Sequence, residues 1–489
     1  MQTKNRPNIV IFNPDSYRGD VVRHIGNLGA VTPNLDAVLA DGGVSFSNAF
    51  AQNPYCTPSR CSFMTGLYPH VHGHRSMKYM LRPHEPNLFS VLKREGYANW
   101  MIGKNDLFAV ESVEDYQKYG VVKVQPPECD HVHHCPPPLP KDDPRKECFY
   151  QGVATRDGDE PIYRQSDPGF VKGAEEIIAA SSADQPFCLF IPIATPHPTY
   201  IVEEEFYDLI DPELLPPRLS IPERTNPYLD AYRMLQRSAE LDETAWREIK
   251  RVYYAMCTKV DSFFGQVVDA LKAKGIYDDT LIIFLSDHGD FVGDYDMVEK
   301  TVCSLDDALL RSPFLFKPPA SMGAKPGIRN QLVELIDMTA TIYELLDLEP
   351  GYTCQGRSLC DALRGDEREI RDAVFAETGA RKGEQQFMNL DCEEMPMDSF
   401  YGKRYHMRLP RDMAGSYGVS VRTHTHKYVY RPYTGNHALF DLQADPGELC
   451  NVSGEPEYTA LEQSMSMRLL EYYAKTADVI PYAQDSRHV

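Results

Sequence analysis

Asn8-Ile9-Val10-Ile11-Phe12, running straight into Asn13-Pro14-Asp15, reads as a strand that is apolar on both faces and ends on a carboxylate. A short, continuous apolar run is what a central parallel strand needs when helices cover both of its sides. In open α/β sheets reactive groups gather beyond the carboxyl ends of the strands, so Asp15 stands where a ligand site belongs; a turn-forming aspartate is the plain alternative. The same grammar recurs three times. Asn99-Trp100-Met101-Ile102 leads to Gly103-Lys104-Asn105-Asp106, residues 187–193 lead to Thr195-Pro196-His197-Pro198, and residues 280–285 lead to Ser286-Asp287-His288-Gly289-Asp290. Helical patterns lie between these runs, at 89–95 and at 242–274. In the longer one Ile249, Val252, Tyr253, Met256, Val260, Phe263, Phe264, Val267 and Leu271 recur at helical spacing. Strands alternating with helices predict an α/β fold with a large, mostly parallel sheet and helices on both faces.

Beyond a helix starting near Glu334 and ending near Leu346 the texture changes. Shorter strands are expected at 371–377, 418–423, 427–430 and 438–442, with a last helix at about 457–476. This predicts a small antiparallel sheet with one helix. The organisation expected is a catalytic domain over residues 1–370 and a smaller C-terminal subdomain over 371–489.

The chain has 489 residues, of which 42% are hydrophobic and 25% charged, ordinary values for a soluble globular protein. Its formal charge of −21 opposes nucleic acid and anionic membrane as partners. An anionic substrate then requires a local positive pocket and a metal. Met1-Gln2-Thr3-Lys4-Asn5-Arg6 enters the first strand without a leader-like apolar region, and no run approaches a membrane span. The expectation is a cytoplasmic protein, unless an export signal has been trimmed. The twelve cysteines are scattered rather than set in a framework, which fits reduced thiols. Cys129-Asp130-His131-Val132-His133-His134-Cys135 carries enough soft ligands for zinc, but it sits among prolines with no second ligand pair at zinc-finger spacing, and a surface loop is the simpler reading.

Asn53-Pro54-Tyr55-Cys56-Thr57-Pro58-Ser59-Arg60 places Thr57 as a helix N-cap and Pro58 as a first helical residue. Cys56 would then precede the free N–H groups of a helix, with Arg60 one turn in, an arrangement that holds oxyanions and favours a thiolate. A structural cysteine at a helix start is the alternative.

Cys-x-Pro-Ser-Arg followed by Thr65-Gly66-Leu67-Tyr68-Pro69-His70 resembles the signature of the type I sulfatases of the alkaline phosphatase superfamily. The resemblance extends over most of the chain, to Asp441-Leu442 and Asp445-Pro446-Gly447-Glu448 of the C-terminal part. It implies that a maturing enzyme oxidises Cys56 to formylglycine (3-oxoalanine), whose hydrate is the nucleophile. Asp15, Asp287 and His288 match the family's metal ligands, completed by the oxygen derived from Cys56. An oxygen-rich set with one imidazole suits one divalent ion, Ca²⁺ first and Mg²⁺ or Mn²⁺ after it. Lys104 and Lys300 match sulfate-binding lysines, and His197 matches the leaving-group histidine. Arg60 completes the catalytic set. Two departures stand out. Ser16 replaces the second aspartate of the usual first motif, and with Arg18-Gly19-Asp20 it resembles members active on phosphonate monoesters and phosphodiesters. Asp106 occupies the place of a histidine that helps discharge the sulfated nucleophile, so Asp106 itself, His72 or His74 would serve as base.

The function implied is a sulfuric ester hydrolase acting on a small-molecule or oligosaccharide sulfate ester, of a sugar or of an aryl or steroid alcohol. A phosphonate monoester or phosphodiester hydrolase has the same parts. A non-catalytic binder of sulfated ligands, never oxidised at Cys56, is the reading from another class. Residues 393–406 and the 129–135 loop are expected at the pocket rim. The oligomeric state is not legible.

Overall fold

The first strand, β1 (Asn8–Asp15), does what its composition dictates: Ile9 and Ile11 enter one hydrophobic core, Val10 and Phe12 the other, and none has any exposed surface. Alternation is hidden in the sequence because both faces are apolar. The structure, a computed structural model, describes residues 6–129, 133–223, 226–379, 381 and 416–479.

Further strands follow at β2 (Val44–Phe50), β3 (Ala98–Met101), β4 (Val122–Lys123), β5 (Tyr150–Ala154), β6 (Phe187–Pro196), β7 (Tyr200–Glu203), β8 (Thr280–Leu285), β9 (Phe314–Lys317) and β10 (Gly327–Glu334). Eight of these strands form one sheet in the order β10-β2-β9-β8-β1-β6-β3-β4. β9 runs antiparallel to both neighbours, and every other adjacent pair is parallel. The four strands recognised in the sequence, β8, β1, β6 and β3, are consecutive in this order. Their carboxyl ends therefore open onto one crevice.

The helix Glu243–Lys274 covers one face of the sheet. It starts at Asp242, whose side chain accepts from the Ala245 N–H at 2.8 Å, and ends at Gly275 in the left-handed region. Val252, Tyr253, Val260 and Phe264 pack from it against Val10 and Phe12. On the opposite face α1 (Pro33–Ala40) is not the cover; α2 (Cys56–Thr65) is, through Phe63 and Met64 beside Ile9 and Ile11.

Two expectations are corrected. The helix expected from Glu334 begins at Asp337, because residues 327–334 form the strand β10; the Asp337 carboxylate accepts from the Glu334 N–H at 2.8 Å and marks the change of direction. The helix at the cysteine motif starts at Cys56, with Tyr55 as its N-cap, rather than after Thr57. Pro58 falls inside the first turn, where a missing N–H costs nothing.

A second sheet is antiparallel, in the order β11 (Val374–Thr378), β12 (Gly418–Arg422), β13 (His426–Tyr430), β14 (Ala438–Asp441). The helix Thr459–Thr476 lays Met465, Leu469 and Tyr472 on it. Buried Lys427 ties this sheet to the main one, donating to Asp307 at 2.8 Å and to Glu448 of the Asp-Pro-Gly-Glu motif at 2.7 Å. Among the described residues no helix is long and apolar enough to cross a membrane, and no disulfide forms.

Candidate active site

Asp15 at the end of β1 and Asp287 and His288 just beyond β8 meet Cys56 at the start of α2. Ligand-capable atoms of all four lie within 4.8 Å of one another, and all four side chains are buried. The Cys56 sulfur is 3.2 Å from His288 Nε2 and 3.5 Å from Asp15 Oδ1.

Each residue of the cysteine motif helps to build this cluster. The Ser59 hydroxyl donates to the Asp287 carbonyl at 2.6 Å and fixes the first turn of α2 to the end of β8. Arg60, with no exposed surface, donates from Nε to Asp287 Oδ2 at 2.8 Å and from Nη2 to Asp15 Oδ2 at 2.9 Å. From the β1 side, the Asn13 side chain donates to the Leu285 carbonyl at 2.9 Å. Ser16, in left-handed backbone, donates its N–H to Asp287 Oδ1 at 3.2 Å and its hydroxyl to Asp15 Oδ1 at 3.0 Å. The sequence reading missed Asn13 and Ser59, and saw Ser16 only as a missing carboxylate. Ser59 had one signal, its place beside Arg60.

The charges are mutually dependent. Burial alone would raise the Asp15 pKa, yet Lys104, His197, Arg60 and Lys300 together hold it well below the usual carboxylate range. Burial works against Lys104 as well, but Asp15 and Asp106 keep its ammonium well above the ordinary value. Lys104 Nζ lies 2.7 Å from Asp15 Oδ2 and 2.8 Å from Asp106 Oδ2. The expectation of a stabilised Cys56 thiolate is corrected: burial first, then Asp15, pushes its pKa well up, because Arg60 faces two carboxylates and not the sulfur.

Lys300 acts by its charge on Asp15, Cys56 and His288, and His197 lies within electrostatic reach of Asp15. His197 is half-buried, and its Nδ1 pairs at 2.6 Å with the Pro198 carbonyl, which can only accept; Nδ1 therefore carries the proton. Burial, then Lys300 and Lys104, lowers its pKa well below the usual histidine range. Lys300 is buried, 5.8 Å above the Tyr55 ring and 3.6 Å from Glu299. Of the alternative bases, His74 is engaged elsewhere, with Nδ1 on the Tyr79 carbonyl at 2.6 Å and Nε2 3.2 Å from Glu85. Despite its burial, Cys61 and Glu85 push its pKa up to about 10, so it holds its proton at neutral pH. His72 lies 3.9 Å from Glu85. Asp106 is the candidate tied to the cluster, through Lys104.

In the 129–135 loop, residues 130–132 lie outside the described residues; His133 pairs with Glu205 at 2.8 Å and His134 with the Glu160 carbonyl at 2.7 Å. Residues 393–406 lie wholly outside the described residues.

Two carboxylates and an imidazole at adjoining strand ends of the mostly parallel sheet, met by a sulfur and a buried guanidinium from the first turn of α2, form the site of a hydrolase of the alkaline phosphatase superfamily. The chain belongs to the sulfatase family, whose family model, described as Sulfatase, matches residues 7–348. It is 27% identical to an ulvan-active sulfatase of Formosa agariphila, over 97% of this chain and 82% of that one. Its fold is similar to that of a phosphonate monoester hydrolase of Agrobacterium radiobacter, with a TM-score of 0.75, 23% identity and 96% of each chain covered. It is also similar in fold to a protein solved in complex with its substrate D-glucosamine-2-N,6-O-disulfate, with a TM-score of 0.71, 17% identity, and 96% of this chain and 98% of that one covered.

Sulfatases use a metal ion and formylglycine, and the residues present fit both. Hard cations such as Ca²⁺ take oxygen ligands at about 2.3–2.6 Å, so ligands across such an ion lie up to about 5 Å apart; the four donors here fall within 4.8 Å. His288 Nδ1 pairs at 2.7 Å with the Gly289 carbonyl, which leaves the Nε2 lone pair turned to the cluster. Burial is the main reason its pKa is lowered, so the imidazole is neutral and able to bind a cation.

Proposed function

We propose that this protein hydrolyses sulfate esters of a carbohydrate or aryl alcohol at a formylglycine derived from Cys56, with Asp15, Asp287 and His288 holding one divalent cation, Ca²⁺ in first place. The observation that carries the reading is the approach of the Cys56 sulfur to His288 Nε2 (3.2 Å) and Asp15 (3.5 Å) within a buried set of metal-type donors. When bound, the cation and the hydrated aldehyde together supply an oxygen nucleophile of lowered pKa.

The chain's own residues supply the rest. Arg60 helps to keep Asp15 ionised and holds it beside Asp287. Lys104, drawn to Asp15 and Asp106, offers its remaining donor to a substrate oxygen, and Asp106 is the nearby proton acceptor. His197 rests neutral, with Nε2 unprotonated. A bound sulfate ester adds negative charge near two lysines and a histidine, which raises the His197 pKa and lets Nε2 take up the proton that the departing alcohol needs. Lys300 stabilises negative charge on the bridging oxygen. Residues 1–370 form the unit proposed to carry this chemistry, and residues 371–489 the smaller unit packed on it.

The test is co-production with a formylglycine-generating enzyme. The Cys56 peptide should lose roughly 18 Da, and sulfate should be released from 4-nitrophenyl sulfate by this protein and not by Cys56→Ala. Full conversion with no hydrolysis of a panel of sulfated sugars and aryl sulfates would refute it.

A second reading rests on Ser16 in place of a second aspartate and on the fold shared with a phosphonate monoester hydrolase. Faster hydrolysis of a 4-nitrophenyl phosphonate ester than of the sulfate would select it.

A further inference from the structure

The loop that carries Lys300 is held in a conformation that its residues resist. Val292, Tyr295, Asp296 and Glu299 all adopt left-handed backbone, an arrangement that persists only where surrounding contacts over-determine it. Those contacts come from several directions. Arg18 Nη1 donates to the Phe291 carbonyl at 2.9 Å and to Asp294 at 2.7 Å. Arg233 donates to the Tyr295 carbonyl at 2.8 Å, and Gln236 to the Val298 carbonyl at 2.9 Å.

One carboxylate closes the loop. Asp290 Oδ1 accepts from the Val292 N–H at 2.9 Å and from the Glu299 N–H at 3.0 Å, so it grips both the beginning of the loop and the residue before Lys300. The same carboxylate accepts from the Tyr200 hydroxyl at 2.8 and 2.9 Å, and that hydroxyl in turn accepts from the Glu299 N–H at 3.0 Å. Asp290 and Tyr200 are both buried. Tyr200 opens β7 three residues after His197, while Asp290 lies two residues after His288.

We infer that Asp290, with Tyr200, is a positioning residue that locks the segments bearing His197 and Lys300 to each other and to the metal motif, and so sets the leaving-group side of the site. This rests on the proposed roles of His197 and Lys300. Asp290 touches no reacting atom; its action is to prevent those two groups from drifting apart. A misplacement of about 1 Å in such groups costs on the order of 100-fold in rate.

The test compares Asp290→Ala, Asp290→Asn and Tyr200→Phe in the formylglycine-bearing protein. Substrates are 4-nitrophenyl sulfate, whose leaving group needs little help, and phenyl sulfate, whose leaving group needs more. Asp290→Ala should lower kcat on phenyl sulfate by on the order of 100-fold and on the nitrophenyl ester by about tenfold, with KM little changed. Asp290→Asn keeps an oxygen for both N–H groups and should recover most of the loss. Tyr200→Phe, which leaves the backbone grip in place, should show a smaller loss with the same substrate bias. Crystal structures of the Ala and Asn variants give a readout independent of turnover: Lys300 Nζ should move in the first and stay in the second. Equal losses on both esters, or an unmoved Lys300 in Asp290→Ala, would overturn the inference. Absence of ester hydrolysis in the parent protein would instead defeat the proposed function, and the crystal structures would still decide the positioning.

Discussion

Arg60→Met removes a buried cation from between two buried carboxylates while keeping most of the side-chain volume. Arg60, Asp15 and Asp287 have no exposed surface, and the two ion pairs measure 2.9 and 2.8 Å. Breaking a buried pair by deleting one partner costs about 3–5 kcal/mol, because the charge left behind is uncompensated. The loss is unequal. Asp15 retains Lys104 at 2.7 Å, whereas Asp287 keeps only hydrogen bonds from the N–H groups of Ser16 and His288 to Oδ1, so the penalty falls mainly on Asp287. For a chain of this size the melting temperature should fall on the order of 5 °C, measured by scanning calorimetry in chelator. A divalent cation held by Asp15 and Asp287 replaces the missing charge, so excess Ca²⁺ should narrow the gap between variant and parent. Equal melting in chelator, or a gap that Ca²⁺ leaves untouched, would refute the view that these carboxylates share one ion.

Other outcomes follow from the same geometry. The Asp15 pKa is held below its unfolded value near 4, so its contribution to stability is complete above about pH 4 and disappears as pH falls toward the folded value; Asp15→Asn should flatten that acid limb in urea titrations. His197 acts in the same direction, over a higher pH range. Its folded pKa is depressed below the ordinary value near 6.5, so stability is lost as pH drops below about 6.5, and His197→Gln should reduce the loss between neutral and mildly acidic pH. Asp287→Ala should abolish turnover, whereas Cys129→Ala should leave the chemical step intact, both read by sulfate release. Lys427→Met, which takes the cation from Glu448 and leaves Asp307 with Arg422 alone, should lower stability by about 3 kcal/mol without altering the active-site cluster.

The strands that carry chemistry were legible because the central part of the sheet is buried on both faces, so β1, β6 and β8 appear as uninterrupted apolar runs ending on polar residues. The edge strand β10 was not: its first half alternates in exposure, and its buried second half runs into the helix at Asp337 with neither glycine nor proline between them. β9 is four residues long and antiparallel, too short to separate from a loop by periodicity. In the site, residue types at strand ends were enough to gather Asp15, Asp287 and His288. What the sequence could not disclose was how Arg60 divides its donors. That division, and above all the burial of the sulfur, are visible only in three dimensions and reverse the expected thiolate at Cys56. The left-handed backbone at Ser16 and around Lys300 was equally hidden, since nothing in serine, valine, tyrosine, aspartate or glutamate announces it.

The complete burial of Cys56, within a helix whose ten residues are all buried, has a chronological meaning. Under the proposed function, an enzyme that has to take the peptide segment around Cys56 into its own site finds that segment wholly inside the folded protein, so the oxidation would belong to the nascent or unfolded polypeptide. Biosynthesis then offers a single window, closed when α2 docks, and a molecule that folds first is committed to keeping its thiol.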